Sequence, residues 1–313
     1  MKRRDFIKSS LLALGAASAP GIWIPQSWAQ PSELTLTLLQ TNDTHSRIDP
    51  FPMDGGRNQG MGGIARRATL VKQIRAKNPN TLLLDGGDVL QGTPYFNMFH
   101  GELEYKTMTQ CGYDATTLGN HEFDNGVESL AGVLKYARFP IVNCNYDFGT
   151  TPLRKVVRRY LVKQFGDIKV GITGIGVDFT DLVAARNHAG VTYQEPYRPL
   201  QKVVDTLRNR EGCAFVVVLS HLGYKPYNGK PGDTELAYRV DGVDWIVGAH
   251  SHTFMDQPDV ITSKNGHKTH IFQVGWAGIY LGRTDIKFIN GKLHSFNTRA
   301  LPVNPEIKPA QLG

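Results

Sequence analysis

Apolar runs that suit buried strands alternate along this chain with stretches that suit helices, and this alternation most constrains the fold. The runs "LTLTLLQ" (34–40) and "TLLLDGGD" (81–88) flank "IARRATLVKQIRAKN" (64–78), in which apolar residues recur at helical spacing. Two further runs, "CAFVVVLS" (213–220) and "VDWIVGAH" (243–250), are also separated by a helix-like stretch. Strands that alternate with helices predict an α/β domain with a largely parallel core.

Three other stretches read as pairs of strands joined by a turn. "RRYLVKQFGDIKVGITGIG" (158–176) turns at Gly-Asp, whereas "VITSKNGHKTHIFQVG" (260–275) and "IKFINGKLHSF" (286–296) each turn at Asn-Gly, a strong hairpin signal. They predict antiparallel strands added to the parallel core. The glycines of "GITGIG" (171–176) have the wrong spacing for a dinucleotide-binding loop. We expect the Gly-rich stretch 49–63 to be either a mobile surface loop or a loop of the functional site.

The first 29 residues are typical of a targeting segment rather than of a folded domain. Basic residues precede a short apolar stretch, and "SWA" at 27–29 resembles a small-residue cleavage site. Arg3 and Arg4, followed by "DFIK", resemble a twin-arginine export signal, with an ordinary secretion signal as the alternative. The chain is therefore expected to be periplasmic or otherwise exported. The apolar stretch is too short to span a bilayer, so no stable membrane anchor is expected.

Charge and cysteine content argue against several classes of protein. The formal net charge is +7, and removal of residues 1–29 leaves about +4, which is mild. The densest basic run, Arg154 to Tyr160, is interpreted as a solvated strand face rather than as a surface for a nucleic-acid polymer or a membrane. Cys111, Cys144 and Cys213 are too few for a disulfide framework and are expected to pack as small apolar groups.

Polar side chains collect where five of the predicted strands end, and the carboxyl ends of strands are where open α/β sheets place their sites. Five of the ten histidines are among them. The spacing of Asp43 from His45, and of His250 from His252, would point each pair the same way in an extended chain. The residues concerned are Asp43 and His45, Asp88, Asn120 and His121, His221, and finally His250 and His252.

The chemistry of this set predicts a metal centre. Imidazole, carboxylate and amide oxygen are ligands that suit Zn, Mn or Fe(II). Seven ligands drawn from these eight side chains would exceed the number that one tetrahedral ion needs. Two divalent ions that share a carboxylate fit the number better.

Five motifs, "TNDTHSR", "DGGDVLQGT", "GNHEFD", "SHLGY" and "GAHSHT", occur here in the order found in the calcineurin-like metallophosphatases. The chain most resembles the bacterial periplasmic 5′-nucleotidase and UDP-sugar hydrolase branch of that family, over roughly residues 34 to 290. The resemblance implies a four-layer α/β/β/α sandwich with mixed sheets. It also implies that residues 30–313 are a catalytic domain without the C-terminal nucleotide-specificity domain of those nucleotidases.

The resemblance also assigns roles to residues. Asp43, His45 and His252 would hold one ion, and Asn120, His221 and His250 the other. Asp88 would bridge them, whereas Asp85 would make only a structural hydrogen bond. His121, oriented by Asp124, would act on the scissile phosphate as a catalytic residue. We expect Glu122 and Asn125 to be solvated loop residues, and Trp276 and Tyr224 either to stack on a base or to pack within the fold.

The function implied is hydrolysis of small phosphate esters, nucleotides above all, by direct attack of a hydroxide held between two divalent ions. A histidine at position 252, where some 5′-nucleotidases have Gln or Asn, leaves a 2′,3′-cyclic-nucleotide phosphodiesterase open. A sulfur-oxidation-type thiohydrolase is a second alternative. A metal-loaded subunit that needs a separate substrate-binding partner is a third. A separately encoded C-terminal nucleotidase domain is the partner that the resemblance suggests.

Overall fold

The computed structural model describes residues 32–312 of the chain, so the predictions made for residues 1–29 lie outside the described residues. Its strands are β1 (Glu33–Thr41), β2 (Thr81–Asp85), β3 (Ala115–Thr116), β4 (Ile141–Val142), β5 (Tyr146–Asp147), β6 (Val157–Arg158), β7 (Tyr160–Phe165), β8 (Ile168–Ile175), β9 (Thr192–Tyr193), β10 (Phe215–Ser220), β11 (Trp245–Gly248), β12 (Asp259–Thr262), β13 (Lys268–Phe272), β14 (Tyr280–Ile289) and β15 (Lys292–Pro302).

The helices fall between the strands, as the sequence predicts. They are α1 (Ile64–Lys77), α2 (Pro94–Phe99), α3 (Glu102–Cys111), α4 (Val127–Leu134), α5 (Tyr197–Asp205) and α6 (Asp233–Arg239), and α5 continues as a π-helical turn, Thr206–Arg210. Short 3-10 turns occupy His121–Phe123, Pro152–Lys155 and Ala185–His188. Within residues 32–312, no helix is both long enough and apolar enough to cross a membrane.

Two large mixed sheets organise the domain. The first has seven strands in the order β15-β14-β1-β2-β3-β4-β6, and the second has six in the order β12-β13-β11-β10-β8-β7, while β5 and β9 form a separate pair. Strands β1 to β4 run parallel in the first sheet, and β8, β10, β11 and β13 run parallel in the second. The hairpin strands are antiparallel additions, which confirms the predicted α/β class with mixed sheets.

The alternation of side chains along each strand explains why the sheets form the middle of four layers. Leu36 and Leu38 of β1 are fully buried between the two sheets, together with Val217 of β10. Leu39 points the other way and packs in the cluster that includes Val71 of α1. Because side chains alternate with period two, each strand supplies one face to the inter-sheet core and the other to a helix layer.

The second sheet repeats this arrangement with its own helices. Val216 and Val218 lie on the outer face of β10, in a cluster with Leu200 of α5 and Leu236 of α6. The order of layers is therefore helix, sheet, sheet, helix. Replacing a fully buried leucine of such a core by alanine typically costs about 2–5 kcal/mol.

The turn predictions are confirmed in detail. In the β14–β15 hairpin, Asn290 and Gly291 both have positive φ, 50° and 75°, as a two-residue turn between twisted strands requires. The three cysteines are buried, and none forms a disulfide within residues 32–312. Of the basic run, Arg154, Lys155, Arg158 and Arg159 are exposed, as expected of a solvated segment.

Candidate metal centre

The strand-end residues from the two sheets meet at one edge of the sandwich. The ligand atoms of Asp43, His45 and His252 lie within 4.8 Å of one another, and so do those of Asp88, His221 and His250. Asp43, His45 and Asp88 follow strands of the first sheet, whereas the other three follow β10 and β11 of the second. The site therefore depends on the packing of one sheet against the other.

The backbone at these positions differs from the sequence-based expectation. An extended chain was expected to align Asp43 with His45 and His250 with His252, but all four have positive φ. The φ values of Asp43, His45, Asp88, His250 and His252 are 50°, 48°, 52°, 71° and 50°. The extended-chain reasoning was therefore wrong, because the chain leaves each strand through a left-handed turn.

Left-handed backbone is costly for residues other than glycine, at about 1–3 kcal/mol each, and is found mainly where surrounding structure enforces it at functional sites. Backbone hydrogen bonds enforce it here. The amide of Asp43 donates to the carbonyl of Gly87 at 3.0 Å, and the amide of His45 donates to the carbonyl of Asp88 at 3.0 Å. Five strained residues in one cluster indicate that the side chains are held in place for a purpose beyond stability.

The first group is centred on Asp43, which is fully buried. Its Oδ1 lies 3.4 Å from Nε2 of His252, and Nε2 of His45 lies 3.0 Å from the same His252 nitrogen. Nδ1 of His45 lies 3.3 Å from the carbonyl of Leu90, and donation there leaves Nε2 unprotonated. Burial lowers the pKa of His45, which favours the neutral imidazole that a metal requires.

The second group is centred on Asp88 and His221. Oδ2 of Asp88 lies 3.0 Å from Nε2 of His221, while Nδ1 of His221 lies 2.8 Å from the carbonyl of Gly86 and donates to it. Burial opposes a charge on His221, but the carboxylate of Asp88 outweighs it and raises the pKa of His221 to about 10. For His250, burial and the nearby His221 lower the pKa to about 4. The carboxylate of Asp88 thus favours protonation of His221, whereas burial and the nearby His221 disfavour protonation of His250.

One buried atom tests whether the residues fit a metal. Oδ1 of Asn120 is buried and has no hydrogen-bond partner within residues 32–312, whereas Nε2 of His221, which is equally buried, faces the carboxylate of Asp88. A buried oxygen of this kind is costly without a partner. A divalent cation would supply one, and nitrogen and oxygen donors are the set that suits Zn, Mn or Fe(II). The residues present therefore fit divalent metal ions.

His121 and Asp124 form a separate pair at the edge of the cluster. Nδ1 of His121 lies 2.8 Å from Oδ2 of Asp124, and the ring centroid of His121 is 5.3 Å from that of His45. Burial opposes protonation, but the hydrogen bond that His121 donates to Asp124 outweighs it and raises the pKa of His121. Both side chains are partly exposed, and His121 lines a hollow of about 280 Å³ together with His45 and His252. This pair can hold a proton next to whatever occupies the hollow.

Glu122 is not the solvated residue that the sequence analysis expected. It is only 1% exposed, and its carboxylate accepts four backbone N–H groups. Oε2 accepts from Asp88 at 3.0 Å and from Gly119 at 2.5 Å, and Oε1 accepts from Val89 at 2.8 Å and from Leu90 at 3.4 Å. Glu122 thereby ties the loop after β2 to the loop after β3. The neighbouring Asn125 is exposed, as expected.

One feature of the sequence could have indicated that Glu122 is buried. Loops that follow parallel strands leave backbone N–H groups without strand partners, and buried donors of this kind need an acceptor. Glu122 has the carboxylate nearest to Asn120 in the sequence, yet its polarity alone suggested that its side chain is exposed to solvent. Asp85 behaves as expected: it is fully buried and accepts from Thr41, Thr116 and the amide of Gly87. Burial raises the pKa of Asp85 to about 6.

Trp276 and Tyr224 are the two aromatic residues expected either to stack on a base or to pack within the fold. Trp276 is half-buried and stacks on the ring of His252, with centroids 5.9 Å apart and an interplanar angle of 9°. The hydroxyl of Tyr224 donates to Asp259 at 2.8 Å, which is a packing role. Gly119 is needed for space, because a Cβ there would collide with Oδ1 of Asp88.

Comparison with known proteins gives the following matches. Residues 36–254 match the calcineurin-like phosphoesterase family. The 5′-nucleotidase of Homo sapiens is 36% identical over 301 residues, which cover 89% of this chain and 49% of the human protein. The 5′-nucleotidase of Vibrio cholerae serotype O1 is 32% identical over 338 residues, which cover 97% of this chain and 58% of that protein.

Solved structures show the same likeness. The 5′-nucleotidase precursor from Thermus thermophilus superposes with a TM-score of 0.79 at 36% identity, and the match covers 88% of this chain and 56% of that one. The NAD nucleotidase of Haemophilus influenzae superposes with a TM-score of 0.75 at 23% identity, over 90% of this chain and 54% of that one, which shows likeness of fold alone. The chain spans about half the length of the relatives that it matches.

Proposed function

Because the chain belongs to the calcineurin-like phosphoesterase family, we propose that it is a metal-dependent phosphoesterase that acts on nucleotides in the manner of a 5′-nucleotidase. One observation carries the proposal. Five candidate ligands are held in left-handed backbone around a buried atom, Oδ1 of Asn120, that lacks a protein partner among residues 32–312, and the His121–Asp124 pair lies beside them. A metal centre next to a proton-holding pair, at the edge of a hollow, is an arrangement for chemistry on a bound anion.

Members of this family use divalent metals, and the clusters present here suit them. Within the proposal there are two ions, drawn from Zn, Mn and Fe. Asp43, His45 and His252 hold the first, Asn120, His221 and His250 hold the second, and Asp88 is shared. When bound, such ions neutralise a phosphate ester and lower the pKa of coordinated water. Left-handed backbone at five of these seven residues helps to hold their side chains in position.

In this proposal, His121 acts on the oxygen that leaves with the organic part of the ester. The hydrogen bond that Nδ1 donates to Asp124 fixes the ring, so that Nε2 remains for the substrate. A proton held there stabilises the negative charge that develops on the leaving oxygen. The hydrogen bond to Asp124 raises the pKa of His121, which favours the protonated ring.

The relatives favour a nucleotidase over the alternatives. Proteins more than 30% identical over most of this chain are 5′-nucleotidases. Their names support a nucleotide substrate over a cyclic phosphodiester or a sulfur compound. The His121–Asp124 pair argues against a subunit that only binds metal, because binding alone does not require it.

The proposal extends to a partner domain. The relatives are about twice as long as the segment that this chain matches. A domain like their remaining half would dock over the metal centre, and the 49–63 and 221–233 loops are the contact surface that we propose for it. In the second loop, Tyr227 is 75% exposed, which leaves it available to such a partner.

Export by the twin-arginine route is also part of the proposal. It rests on Arg3, Arg4 and the cleavage-like "SWA", all outside the described residues. Replacing both arginines by lysine is expected to leave precursor in the cytoplasm, measured by fractionation and immunoblotting. Normal export of that variant would refute the twin-arginine route while leaving the enzymatic proposal intact.

A substrate screen tests the enzymatic proposal. Purified protein, reconstituted with Zn, Mn or Fe, is assayed against nucleoside mono-, di- and cyclic phosphates, sugar phosphates and phosphodiesters. We expect nucleoside 5′-monophosphates to give the highest kcat/KM, and we expect a chelator to abolish turnover reversibly. Turnover that survives complete metal removal, or a clear preference for cyclic phosphates or other phosphodiesters, would contradict the proposal.

A further inference from the structure

A second and larger cavity lies beside the candidate metal centre. It encloses about 620 Å³, within the range of sites that bind small organic molecules. Its walls come from the 49–63 loop, from the segment after β11, from the segment between β13 and β14, and from β14 and β15. The Gly-rich loop, which the sequence marked as either mobile or functional, thus contributes Arg57, Asn58 and Met61 to the lining.

Trp276 connects this cavity to the metal centre. Its side chain lines both the larger cavity and the 280 Å³ hollow that contains His121 and His252. Because the Trp276 ring lies parallel to the His252 ring, one aromatic group separates the candidate ligands from the cavity. A molecule whose phosphate lies in the hollow can therefore place its organic part past Trp276.

The lining combines flat apolar surface with positive charge. Phe254 is 51% exposed, which is unusual for so large an apolar ring, and its only ring contact among residues 32–312 is edge-on to Tyr280, at 6.0 Å. Arg57 and Arg299 are exposed and make no ion pair within residues 32–312. Asp256 is the acidic residue of the lining.

This combination selects among ligands. A purely apolar ligand, such as a lipid chain, would cover the two guanidinium groups without giving them acceptors, which is costly. A sugar has acceptors but no flat face for Phe254 and Trp276. A nucleobase has both, because its ring stacks on aromatic and guanidinium planes and its ring nitrogens and carbonyl oxygens accept hydrogen bonds.

We propose that this cavity is the base-binding subsite of the chain: Phe254 and Trp276 stack on the base, and Arg57 and Arg299 donate to its acceptors, while the ribose passes Trp276 and the 5′-phosphate lies in the hollow beside His121. This inference rests on the proposed nucleotidase function. It gives the chain its own means of preferring nucleotides to other phosphate esters. The Phe254 side chain is half exposed and is therefore accessible for such stacking.

Calorimetric binding to the metal-reconstituted full chain tests the subsite, with AMP, adenosine and ribose 5-phosphate as probes. Phe254→Ala is expected to weaken AMP and adenosine binding at least about fivefold, in line with the loss of one stacked base, and to leave ribose 5-phosphate unchanged. Arg299→Gln is expected to act in the same direction. Tyr238→Ala is the matched control, since Tyr238 is 49% exposed and lies outside the cavity lining.

The outcomes separate this inference from the proposed function. If adenosine fails to bind the wild-type chain, or if Phe254→Ala weakens ribose 5-phosphate as much as AMP, the cavity is not a base subsite. If the chain turns over no phosphate ester but Phe254→Ala still weakens adenosine binding, the subsite stands and the nucleotidase function fails. Thermal unfolding of each variant checks that the fold is retained, which is expected because Phe254 is half exposed.

Discussion

Replacing Glu122 by glutamine tests whether the two metal-site loops depend on one buried carboxylate. Each carboxylate oxygen accepts from two backbone N–H groups, which belong to Asp88, Val89, Leu90 and Gly119. A glutamine has one acceptor oxygen, so in either orientation its NH₂ group faces two N–H donors. Two charge-assisted hydrogen bonds are lost, at about 1.5–3 kcal/mol each.

Burying the charged Glu122 carboxylate also costs free energy. This cost decides whether the lost hydrogen bonds affect the metal-free or the metal-loaded protein. Burial and the charge of Asp88 raise the pKa of Glu122 to about 7, and glutamine avoids that penalty in the metal-free protein. Bound cations neutralise Asp88 and remove most of the penalty, so the lost hydrogen bonds count in the metal-loaded state. At the lower end of the range, about 3 kcal/mol corresponds to metal binding weakened about 100-fold.

Chelator-competition titration with Zn²⁺ or Mn²⁺ measures this effect. Glu122→Gln should bind metal about 100-fold more weakly than wild type, and excess metal should restore part of kcat. Asn125→Ala is the control, since Asn125 is an exposed neighbour whose side chain only approaches His100, at 3.4 Å. Metal affinity within about threefold of wild type in Glu122→Gln would refute the positioning role.

Three further variants probe the rest of the centre. Asp88→Ala should lower metal content and abolish turnover, because the shared carboxylate is lost; elemental analysis that still finds the wild-type content would exclude a bridging role. His121→Ala should keep its metals while kcat falls by about 10²–10⁴, measured with AMP, and loss of metal instead would make His121 a ligand. Gly119→Ala places a Cβ against Oδ1 of Asp88, so calorimetry should show a loss of stability of about 1–3 kcal/mol. An unchanged Tm in that variant would mean that the loop shifts at no cost.

The sequence by itself determined the elements and the chemistry of the site. Period-two alternation places Leu36 and Leu38 on one face of β1 and Leu39 on the other, and Asn290-Gly291 sets the last hairpin. These are local properties of a strand or a turn, so a pattern of a few residues is enough. The metal-ligating residue types at the strand ends could also be identified from the sequence, because the ability to bind a metal is a property of the side chain.

Only the tertiary structure decided how the two sheets meet. Nε2 of His45 lies 3.0 Å from Nε2 of His252, although 207 positions separate them along the chain. The left-handed backbone of His45 is held by a hydrogen bond from its amide to Asp88 in another loop. Glu122 is buried for the same reason, since the N–H groups that donate hydrogen bonds to it come largely from the loop after β2. The cavity beside Trp276 also has walls from four separated segments. Burial and strain at these positions are set by contacts between distant parts of the chain, which no local pattern contains.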